Sequence, residues 1–131
     1  RKFAMVHHFK GFVKNHRPVS LAVAVRDLLF VSGLASVDPE SGQIVQDTFE
    51  GKAQRAFANL QTILANAGCS FWDVVNVKDY VRGQENLVRY NGMYTDYFSE
   101  PFPSRSTIVN CLPNSLQFEI VQFHIESHNL S

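Results

Sequence analysis

An α+β fold is the class that this sequence predicts, and two observations predict it. The candidate elements run in the order strands, helix, strand, helix and two more strands, rather than in regular alternation. Each helical segment carries a single apolar stripe, so both helices are expected to cover one face of a sheet. With 131 residues the chain is expected to form one domain spanning residues 1–131.

The first strands are predicted near the N-terminus. Residues 1–17 have apolar side chains at irregular intervals and are expected to form an N-terminal arm or a strand. Apolar runs at Leu21–Val25 and Leu28–Ser32 flank Arg26 and Asp27. This pattern is typical of two buried strands joined by a tight turn.

Two amphipathic helices follow. Asp47 or Thr48 can cap the first helix, and Glu50 lies three residues after Asp47, as a capping box requires. Gly68 stands where a left-handed residue commonly ends a helix. The second helix is predicted at Glu85–Phe98. The apolar stripe of the first helix comprises Ala53, Ala56, Phe57, Leu60, Ile63, Leu64 and Ala67.

The remaining strands are shorter or less regular. A short strand is predicted at Gln43–Val45, and a β-branched run predicts another at Val74–Val81. The next strand begins at Pro103, since proline cannot donate to a sheet ladder and suits a first position. The last strand, Leu116–Ile125, changes its apolar phase by one residue, which predicts a β-bulge near Ile120.

The sheet is expected to be buried on both faces. Strands such as Leu28–Val31 have apolar residues on both sides, whereas the two helices cover only one face. A large exposed apolar face is unusual for a monomer, so another subunit is predicted to cover the second face.

Composition disfavours several classes of function. Twelve basic residues balance twelve acidic residues, so the chain has no basic excess with which to bind a phosphate backbone. No apolar stretch approaches the roughly 20 residues of a membrane-spanning helix. Two cysteines without a CxxC pattern predict a reduced, cytoplasmic protein. The histidines, among them His7, His8 and His16, have no metal-ligand spacing, so no metal site is predicted.

Arg105 is the main candidate binding residue. Strand periodicity puts Arg105, Thr107 and Val109 on one face of the strand that begins at Pro103. A guanidinium is always charged, and its planar fork matches a carboxylate. From this stretch alone, a solvated arginine or a salt bridge to a nearby acid remains the alternative interpretation.

Several short motifs occur together in a characteristic order between about Pro18 and Glu126. They are Phe30-Val31-Ser32-Gly33, Asp38-Pro39-Glu40-Ser41-Gly42, Gln54 with Asn59 and Ala67-Gly68, Asp73-Val74-Val75, Tyr90-Asn91 with Tyr94 and Tyr97-Phe98, Pro103 with Arg105-Ser106-Thr107, and Glu119-Ile120. Each motif is weak alone, but the ordered set closely resembles the RidA (YjgF) family of imine and enamine deaminases. The resemblance implies a chorismate-mutase-like fold with a mixed β-sheet, and a homotrimer with ligand clefts between subunits.

The resemblance also implies roles for individual residues. Arg105 matches the arginine that binds the carboxylate of a 2-imino or 2-enamino acid. The backbone at Gly33 and Thr107 matches groups that help to hold the same carboxylate. Glu119 matches the acid that positions or activates the hydrolytic water. The residues that match the lining of the cleft are Ser32 and Asn91. The implied reaction converts an imine and water into a 2-oxo acid and ammonia, with no metal or organic cofactor.

Two positions depart from the family pattern. Val19 stands where members with deaminase activity usually carry tyrosine, and Leu34 stands where glutamine is common. Both departures replace a polar group by an apolar one at the edge of the implied cleft. A larger or more apolar substrate, such as an aminomuconate-like enamine, is therefore a hypothesis beside 2-iminopropanoate and 2-iminobutanoate.

Functions from other classes stay open at this point. A non-catalytic trimer that binds a small carboxylic acid and regulates or scavenges would use Arg105 in the same way. An RNA-cleaving or chaperone-like role has been proposed for some relatives of the RidA proteins. The balanced charge of this chain disfavours RNA as a partner.

Overall fold

The structure is a computed structural model that describes residues 6–9, 18–109 and 118–122, the last of these ranges as backbone. The strands in these ranges are β1 (Val6–Phe9), β2 (Ala22–Val25), β3 (Leu28–Leu34), β4 (Asn76–Val81), β5 (Ser104–Val109) and β6 (Phe118–Gln122). They form one sheet in the order β1-β2-β3-β6-β4-β5. Because β4 and β5 are parallel and the other paired strands are antiparallel, the sheet is mixed. The predicted α+β class is confirmed.

Two helices, α1 (Phe49–Asn66) and α2 (Gln84–Tyr94), pack on the sheet. Thr48 is the N-cap of α1, and its hydroxyl accepts a hydrogen bond from the Gly51 amide at 3.1 Å. The predicted capping box between Asp47 and Glu50 is wrong, because the Asp47 carboxylate accepts from the Thr48 amide instead, at 2.7 Å. The apolar stripe of α1 is buried as predicted.

Helix α2 is shorter than the predicted Glu85–Phe98. After Tyr94 the amides of Asp96 and Tyr97 donate to carbonyls three residues back, which marks a tighter turn than an α-helix. The residue before a proline avoids the helical conformation, so Glu100 could not extend a helix toward Pro101. The early end frees the chain to return and start β5 beside β4.

The predicted strands are mostly present, with shifted ends. β2 and β3 form the expected hairpin, and Arg26 in its turn has a positive φ of 56°. The predicted strand at Gln43–Val45 is reduced to one isolated bridge between Val37 and Ile44. The predicted ends of the last strand, at residues 116–117 and 123–125, lie outside the described residues.

The irregularity in the sheet lies beside Ile120, as predicted, but the extra residue belongs to β3 and not to β6. Val31 pairs with Gln122 and Leu34 with Ile120, which gives β3 one residue more than β6 over this stretch. Across its other edge β6 pairs with β4 without any shift. The extra residue falls at Ser32-Gly33, so the prediction that the last strand itself carries the bulge is wrong.

The two faces of the sheet differ in burial. Alternate residues of β3 and β4 on the helix side, such as Leu29 and Val77, are fully buried in the core. On the opposite face Phe30 and Ile108 are each 41% exposed, although both are large apolar side chains. Within the part of the chain that is described, no helix is long and apolar enough to cross a membrane.

Candidate functional site

Arg105 lies near the beginning of β5, the last strand in the order of the described sheet. The parallel ladder pairs it with Val77 of β4, and Val77 is buried under the helices. The Arg105 side chain therefore lies on the helix side of the sheet, at its margin, and is 25% exposed. A charged group in this position is held by the protein and still accessible to a small ligand.

Helix α2 supplies most of the contacts to the guanidinium. Nη2 of Arg105 donates to the side-chain oxygen of Asn91 at 2.5 Å. The central carbon of the guanidinium lies 4.7 Å from the ring centroid of Tyr94 and 5.3 Å from that of Tyr90. Cation–π contacts of this length orient a planar cation without neutralising it.

A buried carboxyl lies beneath Arg105. Asp79 of β4 is 0% exposed, and one of its oxygens, Oδ2, lies 4.0 Å from Nε of Arg105. The Tyr90 hydroxyl donates a short hydrogen bond to the same oxygen. Burial raises the pKa of Asp79, and the hydrogen bonds and the charge of Arg105 only partly oppose that rise.

The two tyrosines beside Arg105 stay neutral at physiological pH. Burial is the main cause that raises the pKa of Tyr94 to about 12, with the Arg105 charge acting in the opposite direction. Burial also raises the pKa of Tyr90, and the neighbouring Asp79 raises it further. Both phenols therefore carry their proton near neutral pH.

Thr107 faces the same side as Arg105 and pairs with Asp79 across the β4–β5 ladder. Its hydroxyl is near enough to the Asp79 carboxyl to lower the pKa of Asp79. Neither Thr107 Oγ1 nor Asp79 Oδ1 nevertheless has a well-formed hydrogen bond within residues 18–109. The two side chains are therefore close neighbours without a well-formed hydrogen bond between them.

The other predicted site residues of β3 and its surroundings lie in the opposite half of the sheet. The Ser32 hydroxyl donates to the Ser20 carbonyl at 2.6 Å, and Gly33 lies in the irregular part of β3. Val19 is 46% exposed, whereas Leu34 is 4% exposed and belongs to the core.

Strand order keeps these residues away from Arg105 within one chain. β6 and β4 lie between β3 and β5. At the usual spacing of neighbouring strands, β3 and β5 are therefore about 14 Å apart. The structure brings together Arg105, Asn91 and Thr107, and it leaves Ser32 and Gly33 outside that cluster.

Glu119 lies in β6, where its backbone is opposite Tyr80 of β4. β4 is also the strand that carries Asp79 and borders β5. Glu119 is thus two strands away from Arg105, and the pairing of Tyr80 with Ile108 puts its position on the opposite face of the sheet.

Sequence reasoning missed Asp79 and the role of the tyrosines. An aspartate inside the apolar run Val74–Val81 was the available signal, because a charge in a buried strand requires a partner. Tyr90 and Tyr94 lie four residues apart in α2, a spacing typical of a buried helix face. They are indeed buried, and the same burial places their rings against Arg105.

A mixed sheet with two helices on one face, and an arginine held at the start of its last strand, define the class of protein as a Rid-type domain. Residues 12–125 match the family described as Endoribonuclease L-PSP. The chain belongs to this family, and the resemblance to RidA proteins is confirmed.

Relatives and solved structures agree with this assignment. A 2-iminobutanoate/2-iminopropanoate deaminase of Homo sapiens is 35% identical over 104 residues, which cover 79% of this chain and 76% of that protein. A RutC family protein of Pyrococcus abyssi is also 35% identical, over 79% of this chain and 82% of that protein. A crystal structure from Thermotoga maritima has 35% identity and a TM-score of 0.79, covering 91% of this chain and 99% of that one. RidA from an Antarctic Psychrobacter shares the fold, with a TM-score of 0.81 at 24% identity, over 91% and 98% of the two chains.

Proposed function

We propose that this protein hydrolyses 2-imino or 2-enamino acids to 2-oxo acids and releases ammonia. The observation that carries the proposal is the Arg105 guanidinium, which is oriented by Asn91 and two tyrosine rings and is still 25% exposed. An oriented, accessible arginine suits a planar carboxylate. Relatives named as 2-iminobutanoate/2-iminopropanoate deaminases support the same reaction class.

The chemistry requires little beyond orientation and a base. Arg105 holds the substrate carboxylate and so fixes the plane of the adjacent C=N bond. Water adds to the carbon while the nitrogen takes a proton, and the resulting carbinolamine loses ammonia to leave the C=O group. We assign the water-activating base to Glu119, since an ionised carboxylate can accept the proton of the attacking water.

The complete site is proposed to form between subunits of a homotrimer. Within one chain Ser32 and Gly33 lie about 14 Å from the strand of Arg105, too far for all three to contact one small acid. A neighbouring subunit would supply these residues. The half-exposed apolar side chains Phe30 and Ile108 give the sheet face a surface suited to such contact.

The choice of substrate is proposed to depend on Val19 and Leu34, the two apolar residues that depart from the family pattern. Val19 is exposed and would present an isopropyl group to the proposed cleft where a phenol is usual in deaminases of the family. Leu34 is part of the core and would act through packing next to Ser32 and Gly33. We therefore include larger enamines of the 2-aminomuconate type among the substrates to be tried.

The test follows the decay of imines produced in situ by an amino-acid oxidase. The wild-type protein is expected to accelerate conversion to the 2-oxo acid, and Arg105→Ala is expected to abolish the acceleration. Arg89→Ala is the matched control, since Arg89 is an exposed arginine paired with Glu50. Acceleration that survives in Arg105→Ala would refute the assignment.

A second candidate function is a non-catalytic binder of small carboxylic acids. The geometry of Arg105 supports a binder as well as it supports a deaminase, because binding a carboxylate does not require an activated water. Binding of 2-oxobutanoate by the wild type, without acceleration of any imine tried, would select the binder.

A further inference from the structure

Asp79 is a buried acid that the reaction described above does not use. Asp79 of β4 pairs with Thr107 of β5, the strand that also carries Arg105, and the Asp79 side chain is fully buried. The Tyr90 hydroxyl donates to Oδ2, which is also the oxygen nearest to Nε of Arg105. The Tyr90 hydroxyl therefore holds the carboxyl on the Nε side of the guanidinium, while Nη2 of Arg105 donates to Asn91.

The proximity of Asp79 to Arg105 has a direct consequence for the net charge of the site. With Asp79 ionised, the positive charge of Arg105 is already compensated by a carboxylate 4.0 Å away. A bound substrate adds a second carboxylate to the same guanidinium. Two like charges near one cation in a poorly solvated place disfavour each other, and protonation of one relieves the repulsion.

Within residues 18–109, Asp79 is the group next to Arg105 that can take up that proton. The titratable groups that face Asp79 within residues 18–109 are Tyr90 and Tyr94 from α2 and Arg105 from β5. Both tyrosines are already neutral, since burial raises the pKa of each. The arginine is protonated at all relevant pH values. Asp79 is left as the group that responds.

We propose that Asp79 is a positioning residue for Arg105, and that it takes up one proton from solvent when a carboxylate binds to Arg105. The proposal rests on the carboxylate-binding role proposed above for Arg105. In the free protein the ionised Asp79 holds the guanidinium in place. In the complex the protonated Asp79 keeps its contacts and no longer competes with the ligand.

The sign of the pH dependence follows from this coupling. A bound carboxylate raises the pKa of Asp79 above its value in the free protein, which burial has already raised. Between these two pKa values the affinity for the carboxylate falls by up to about tenfold for each unit of rise in pH, because binding takes up one proton. At lower pH Asp79 is neutral in both states, and at higher pH it is charged in both, so the affinity is flat.

The experiment measures binding of 2-oxobutanoate by calorimetry across pH, in buffers with different ionisation enthalpies. The wild type is expected to take up close to one proton per ligand within the window. Asp79→Asn keeps the shape of the side chain and should show no uptake and no pH-dependent loss of affinity. Glu50→Gln is the matched control, since it removes an exposed carboxylate at the same 4.0 Å from an arginine.

Steady-state kinetics of variants distinguish a role in positioning Arg105 from a role in folding alone. Asp79→Ala and Tyr90→Phe are both expected to lower kcat by about tenfold without raising KM, because the guanidinium loses contacts that orient it and keeps its charge. Asp79→Asn resembles the protonated carboxyl of the complex and is expected to keep kcat near the wild-type value. Folding of each variant is checked by circular dichroism. A variant that raises KM and leaves the pH profile unchanged would contradict the positioning role.

The possible outcomes distinguish the two proposals. If 2-oxobutanoate binds the wild type without proton uptake, the coupling through Asp79 is wrong and the carboxylate-binding role of Arg105 stands. If it does not bind the wild type at any pH, both are wrong. Proton uptake that persists in Asp79→Asn would place the responding group elsewhere and overturn the inference.

Discussion

Arg105 is held by three kinds of contact: a hydrogen bond to Asn91, the faces of two tyrosine rings and the carboxyl of Asp79. Each restricts a different motion of a long side chain that loses substantial rotamer entropy when it is ordered. The ordering is thus provided by folding and not by ligand binding. A preorganised guanidinium binds and orients a carboxylate at lower entropic cost.

Replacing Arg105 by lysine tests whether shape matters beyond charge. Arg105→Lys retains a cation and loses the planar fork, so kcat/KM for the imine is expected to fall about 10- to 100-fold, as for the loss of one charged hydrogen bond. Steady-state kinetics measure the change, with Arg89→Lys on the exposed face of α2 as the control. Equal rates for Arg105→Lys and wild type would mean that only charge is required.

Asp79 also makes stability depend on pH. Burial raises its pKa above the ordinary value of 3.8, so the folded state binds the proton more tightly than the unfolded state. The resulting contribution to the free energy of unfolding is complete below pH 3.8 and declines as pH rises through the folded-state pKa. Urea unfolding should therefore show Asp79→Asn gaining stability relative to wild type as pH rises from 4, and then reaching a plateau. A difference that is constant with pH would contradict a raised pKa.

At the scale of elements, α1 is the best-defined unit of the chain. Its buried stripe covers the sheet, and Thr48 satisfies the amide of Gly51 at the first turn. Asp47 and Glu50 near the same end are favourably placed for the helix dipole, although they do not form a reciprocal box. Local chemistry thus determines where the helix begins.

The cap can be tested without touching the site. Thr48→Ala removes the acceptor of the Gly51 amide and is expected to lower the free energy of unfolding by about 1 kcal/mol. Gln61→Ala, at an exposed position of the same helix, serves as the control and should change stability little. Both are measured by urea denaturation, and a neutral Thr48→Ala would mean that Asp47 takes over the cap.

At the scale of the whole molecule, strand order divides the predicted site into two groups. Arg105 and Asn91 lie at one margin of the sheet, while Ser32 and Gly33 lie across β6 and β4. The sheet face that the helices leave uncovered, here called the open face, carries the exposed side chains of Phe30 and Ile108. Assembly of copies through this face would join the two groups from different chains.

A charge on the open face should therefore prevent assembly and abolish activity together. Phe30→Glu is expected to give folded monomers by light scattering, because a buried unpaired carboxylate is costly at an interface. Val88→Glu, on the exposed surface of α2, should leave the proposed trimer and its activity unchanged. An active wild-type monomer would contradict the inter-subunit cleft.

Most of the elements could be predicted because the signals that define them are local. The stripe of α1, the hairpin around Arg26 and the start of β5 after Pro103 all follow from periodicity, turns or proline geometry. The irregularity beside Ile120 could be predicted, but the strand that carries the extra residue could not, since that depends on how β3 pairs with β6, a contact between distant parts of the chain.

Element order and apolar periodicity were enough to predict the α+β class, and ordered short motifs were enough to predict the family and to single out Arg105. The residues that surround this arginine became known only from the packing of distant segments. The parallel ladder of β4 and β5 brings Asp79 beneath it, and α2 brings Tyr90 and Tyr94 against it. The same strand order separates Ser32 and Gly33 from it. Pairing between distant strands sets these distances, and no local pattern in the chain encodes it.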